Sequence, residues 1–256
     1  MVRRTAVLAT ILSMTGCATT RGTLDLQVEL PPNPSSEIAF QEPVITDARR
    51  FQPSPPDPSI PSLRNEDEIG DMSITSRAIA RKRNSYGMAM GDILLPEGRT
   101  VGALASDAIV RAFRSAGYMV VSPSDPDFAR ALPVSARIDQ FWAWVTPGFW
   151  AMAIEFEARI HVVSKLGQFA DGEDVRGYIR LKSAAVSSEK WKATIDRGLE
   201  DFSASLANAI SAATPDVTDS AAGGDGGDLA IEKCFRSCKG LTQRSDEECF
   251  DSCRQE

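Results

Sequence analysis

Val134-Ser135-Ala136-Arg137-Ile138-Asp139 and Ile154-Glu155-Phe156-Glu157-Ala158-Arg159-Ile160-His161-Val162 are the stretches that decide the fold. In both, apolar and polar side chains alternate, which places one set on each face of a strand. One buried and one wet face marks an antiparallel sheet packed on a single side. A third run repeats the pattern, with Val175, Ile179 and Leu181 set among Arg176, Tyr178, Arg180 and Lys182. Thr146-Pro147-Gly148 supplies a turn between the first pair and Asp171-Gly172 a turn between the second.

Helical patterns flank these strands. Val101, Leu104, Ala105, Ala108, Ile109, Ala112, Phe113 and Ala116 form one apolar stripe, closed by Gly117 as a C-cap. Tyr118–Val121 then reads as a strand. Trp191, Ile195, Leu199, Phe202, Leu206 and Ile210 form a second stripe. The expected fold class is α+β: a two-layer α/β sandwich over residues 69–214, its mostly antiparallel sheet carrying two helices on one face.

The amino terminus has the form of an export signal over residues 1–16: Arg3 and Arg4, an apolar run from Ala6 to Leu12, then Met14-Thr15-Gly16-Cys17. The run is too short for a bilayer, which needs about 18–20 residues. Loss of Arg3 and Arg4 makes a chain of formal charge −7 two units more negative, a poor match to nucleic acid. Nine of the 15 prolines fall between Pro31 and Pro61, so residues 17–68 read as an extended tether with one short strand near 43–49. Gly223-Gly224-Asp225-Gly226-Gly227-Asp228 is a single copy of a calcium-repeat pattern that works only when stacked, and residues 215–228 read as a linker.

The Met14–Cys17 box resembles the lipid-attachment site of bacterial lipoproteins, which implies diacylation of Cys17 and a new, acylated amino terminus. An ordinary cleaved signal is the alternative. Ala18, in place of Asp, resembles the enterobacterial sorting signal for the outer membrane. The strand at Val44-Ile45-Thr46-Asp47-Ala48-Arg49, the segment Arg99–Val121, and the meander that starts at Val134 together resemble the YajG-like bacterial lipoproteins and the auxiliary lipoproteins of envelope ABC transporters. That resemblance covers roughly Val44–Ala213 and implies an envelope accessory role, with no catalytic residues to carry over.

Residues 229–256 lie outside it. Cys234-x3-Cys238 and Cys249-x3-Cys253 put each pair on one helical face. Two such helices facing each other antiparallel favour Cys234–Cys253 and Cys238–Cys249 disulfides, making a small helical hairpin. An element this short has little core, so bridges worth about 2–4 kcal/mol each decide whether it folds. A four-thiolate zinc site competes, and an oxidising compartment argues against it.

Phe141, Trp142, Trp144, Phe149 and Trp150 surround the Pro147-Gly148 turn. If the turn projects, Trp142, Trp144 and Trp150 form an apolar tip for lipid headgroups or a partner. Otherwise they are core. Arg77, Arg81, Lys82 and Arg83 read as a solvated strand, with the phosphates of anionic lipid or glycolipid as the alternative, and His161 among Glu155, Glu157 and Arg159 as part of a surface ion pair. No phosphate loop, nucleophile elbow or metalloprotease helix occurs. The expectation is a non-enzymatic, lipid-anchored periplasmic adaptor without metal or cofactor, its partners the membrane and an envelope protein. A structural factor docked through the cysteine hairpin and a metal carrier using the four thiols are the alternatives.

Overall fold

The computed structural model describes residues 21–84, 86–148 and 151–213. The chain divides into two units, Met1–Thr214 and Pro215–Glu256. The export signal, Cys17, Trp150, the glycine-rich linker and all four carboxy-terminal cysteines lie outside the described residues.

The elements in chain order are β1 (Gly22–Thr23), β2 (Ala39–Gln41), β3 (Val44–Asp47), α1 (Glu66–Gly70), α2 (Met72–Thr75), β4 (Ala78–Arg83) and β5 (Ala89–Leu94). They continue with α3 (Val101–Ser115), β6 (Met119–Val121), β7 (Val134–Thr146), β8 (Met152–Ser164), β9 (Glu173–Ser183) and α4 (Ser188–Ala212). The main sheet runs β1-β5-β4-β7-β8-β9, with β3 also on β7. Its long pairings, β4–β5, β7–β8 and β8–β9, are antiparallel. Its short ones, β1–β5, β3–β7 and β4–β7, are parallel. The sheet is therefore mixed. β6 leaves it to pair with β2 in a separate two-stranded sheet.

Both long helices start where the sequence provides a cap. Thr100 accepts from Ala103 N–H and Ser187 from Lys190 N–H, satisfying donors that the first turn cannot. Their apolar stripes, from Leu104 to Phe113 and from Trp191 to Ile210, cover one sheet face and close the main core with Phe141, Ile154, Phe156, Ile160 and Val162.

β7 changes parity along its length. Val134, Ala136 and Ile138 face the helices, and so do Phe141, Ala143 and Val145. The register shift between Ile138 and Gln140 supplies the extra residue that this change requires. Trp142 and Trp144 thereby fall on the opposite face. There they build a second core with Leu63, Ala78 and Leu94, against which Phe51, Ile69, Ile74 and Tyr178 pack. The sheet is covered on part of its second face, beyond the single helical layer expected.

The tether reading is overturned. Residues 22–63 are built onto the domain: Leu24 and Leu26 alternate inward, Phe40 and Leu63 are fully buried, and β1, β2 and β3 each pair with a later strand. Prolines remove N–H donors and so forbid a regular ladder, but they do not forbid packing. The segment is held instead through acceptors and side chains. Leu26 O accepts from Arg99, Pro31 O from Arg114, and the Asn33 amide exchanges two bonds with Val120, each of 2.9 Å. Burial of each large apolar side chain contributes about 1.5–3 kcal/mol.

Arg49 fills the gap where β3 ends and β4 begins along the same edge of β7. Its guanidinium bonds Ala78 O at 2.6 Å, Thr75 O at 2.8 Å and Phe141 O at 3.2 Å, while Asp47 takes the remaining donors in a fork. Two of these bonds, to Ala78 O and Phe141 O, are buried, where a missing partner is costly.

Candidate functional site

The tryptophans expected at a projecting tip are placed differently. Trp142 is fully buried, donates its indole N–H to Pro58 O and meets Phe51 edge-on. Trp144 is 7 % exposed and tilts against Tyr178. Residues 51–75 are the lid that the sequence did not reveal. Trp142 is closed to a partner, and Trp144 shows only an edge in the wall of the groove beside it. Trp150 lies outside the described residues.

What the second face does expose is a polar groove beside the lid. On its floor Glu155, 5 % exposed, accepts from Thr146 Oγ1 at 2.6 Å and from the Tyr178 hydroxyl, with Arg180 at 3.5 Å. Glu157 accepts from Arg176 at 3.0 Å and lies 3.9 Å from Arg159. The bond to Glu155 and burial together hold the Tyr178 phenol above its ordinary pKa. His161 Nδ1 lies 2.9 Å from Asp174 Oδ1 across the strand pair, a hydrogen-bond contact with a residue other than Glu155, Glu157 or Arg159. Two hollows of about 590 and 630 Å³ adjoin along this groove, sharing Ser59 and Glu157.

The groove is bordered by β9. Among the described residues no strand pairs with the outer edge of β9, although it is 11 residues long. Asp201 of α4 accepts from Tyr178 N–H at 3.0 Å, the one edge contact that α4 supplies by side chain among the described residues. The rest of this edge offers backbone groups flanked by Arg176, Arg180 and Lys182. Such an edge takes an extended segment by strand addition, with the groove reading its side chains.

A second feature lies at one end of the sheet. β4 runs parallel to β7, so the β4–β5, β7–β8 and β9–α4 connections share that end. The first is a built turn. Asn84 Oδ1 accepts from Tyr86 and Met88 N–H, and Gly87 takes φ 80°, which only glycine adopts readily. It holds Tyr86 87 % and Met88 61 % exposed. Beside it opens a cleft of about 490 Å³ with Leu24, Ile93, Val145 and Trp191 on its floor and Lys82 and Arg83 on its rim.

The basic strand is less solvated than expected. Arg81 is 8 % exposed and faces buried Asp92 at 3.6 Å. Burial raises the Asp92 carboxyl against the pull of Arg81 and Arg21. Arg21 bridges Asp92 and Glu68, at 3.3 and 2.8 Å.

The facing charges of β8 and β9 were legible as alternation; the lid that shapes them into a groove was not. Among the described residues no cluster of His, Cys, Asp and Glu is arranged to hold a metal, and no helix is long and apolar enough to cross a membrane.

No family model matches the sequence, and no curated protein matches it. Among solved structures the chain is similar to the crystal structure of an uncharacterized protein, with 10 % identity and a TM-score of 0.40, covering 75 % of this chain and 99 % of that one. It is similar also to a Xanthomonas campestris protein described by the family model DUF330, with 12 % identity and a TM-score of 0.38, covering 73 % of this chain and 91 % of the other.

Proposed function

We propose that this protein is a non-enzymatic, lipid-anchored accessory subunit of an envelope transport or assembly system, held by Cys17 on the periplasmic side of the outer membrane. The observation that carries the adaptor reading is the edge of β9, unpaired among the described residues, beside a charged groove. It suits an extended segment of an envelope protein carrying both acidic and basic side chains. The lipobox supports the anchor, and the resemblance to YajG-like and transporter-auxiliary lipoproteins supports the setting.

A photoactivatable residue at Lys182, used in intact cells, tests this. A discrete protein adduct that disappears when Arg176 and Arg180 are both replaced by Glu is the expected result. No adduct from any β9 position, or one indifferent to the charge reversal, would sink the docking assignment. The tail is read as a disulfide hairpin, so alkylation before and after reduction should find its four thiols only after reduction. Four thiols reactive beforehand would return the zinc reading.

A further inference from the structure

We propose that the sheet end bearing Tyr86, Met88 and Val186 is the face that lies on the phospholipid surface, and that the body stands on its membrane directly instead of swinging on a tether. This rests on the lipid anchor at Cys17 proposed above.

The first support is chain length. Ala18, Thr19 and Thr20 alone separate Cys17 from Arg21. At about 3.3–3.6 Å per residue, the two Cα atoms stand no more than about 14 Å apart. Arg21 is pinned by Glu68 and Asp92, and Gly22 then enters the sheet opposite Ile93. β1 runs parallel to β5, so the chain enters from the side of the β4–β5 turn. Through the Arg81–Asp92 and Ala80–Ala143 pairings Arg21 lies level with the last residues of β7, and Val134 at the opposite end is about 30 Å away at about 3.3 Å per residue.

The second support is composition. Residues 84–88, 147–151 and 184–187, the three connections at this end, contain no charged residue in a chain that is 25 % charged. Tyr86 is the most exposed large apolar side chain among the described residues. Lys82, Arg83 and Lys182 stand one step behind these loops, with Glu189 the exposed carboxylate nearby. An apolar tip backed by cations is the arrangement that enters an anionic interface. The loops at the other end are charged, carrying Asp125, Asp127 and Asp171 together with Arg99, Arg130 and Lys165.

The test places a photoactivatable residue at Met88 or, at the far end, at Ser124 of the full-length lipidated chain. The chain is reconstituted in vesicles of phosphatidylethanolamine and phosphatidylglycerol. Lipid adducts from Met88 should exceed those from Ser124 by about tenfold, and K82S should lower them by about fivefold, the weight of one cation near an anionic surface. Equal adducts, or more from Ser124, would overturn the assignment. The mass of the mature protein tests the anchor separately. If Cys17 is unmodified, the anchor reading fails, and the same two probes are compared in the C17S chain with added vesicles. Met88 adducts there still support the loop end as the lipid-facing surface, and their absence removes it.

Discussion

Tyr178 and Glu155 share a proton-sensitive bond on the floor of the groove. Because the folded phenol has a raised pKa, it binds its proton more tightly than the unfolded one. The stability this contributes is complete below the ordinary tyrosine pKa and is lost as pH rises through the folded value. Phenolate absorbance should therefore show a late-titrating tyrosine that vanishes in Y178F and moves down in E155Q. Y178F should cost about 1 kcal/mol at neutral pH, because Glu155 keeps Thr146 and Arg180. Arg49 is the larger case. R49A should cost about 3–5 kcal/mol in denaturant unfolding, since Asp47 and three carbonyls lose one guanidinium together. R49K should recover little, because an ammonium cannot reproduce the fork. An R49K protein of full stability would contradict this. Arg49 closes the Val44–Arg49 stretch, yet its role is illegible there, because beyond Asp47 its acceptors come from residues 75, 78 and 141.

Among the elements, α4 approaches the sheet more closely than ordinary side chains permit. A Cβ at Gly198 would lie 2.2 Å from the Phe156 ring, and one at Gly177 would lie 2.5 Å from Phe202 Cβ. Gly198→Ala and Gly177→Ala should each destabilise by about 1–3 kcal/mol through overpacking. Gly70→Ala meets nothing within 4 Å and should be close to neutral in the same unfolding assay. Equal effects at all three positions would refute the close approach. The helices and the three long strands were readable because each makes its pattern from neighbouring residues. The shift from Ile138 to Phe141 was also written in the alternation, as a change from even to odd positions. Its meaning, a bulge that sends Trp142 and Trp144 to the other face, depended on a lid contributed from 51–75. The short parallel pairings had no local signature at all.

For the whole molecule, the fate of residues 22–63 is the clearest measurement. A proline-rich tether would be cut first by a broad-specificity protease. In this fold the segment should survive limited proteolysis together with residues 64–213, leaving the body as one fragment; early cleavage between Leu24 and Leu63 would restore the tether. The same segment sets the order in which the sheet can be completed. Arg21 and Asp92 are 71 positions apart, and the partners of β2 and β3 come later still. In a chain synthesised amino end first, Leu24, Leu26 and Phe40 emerge long before anything exists to cover them. During that interval they are bare apolar residues on an extended strand, the form most prone to pair with the wrong neighbour. The prolines around them withhold the N–H groups such mispairing needs. What reads in the finished fold as an irregular strap is, while the chain is still being made, a segment ill suited to mispairing.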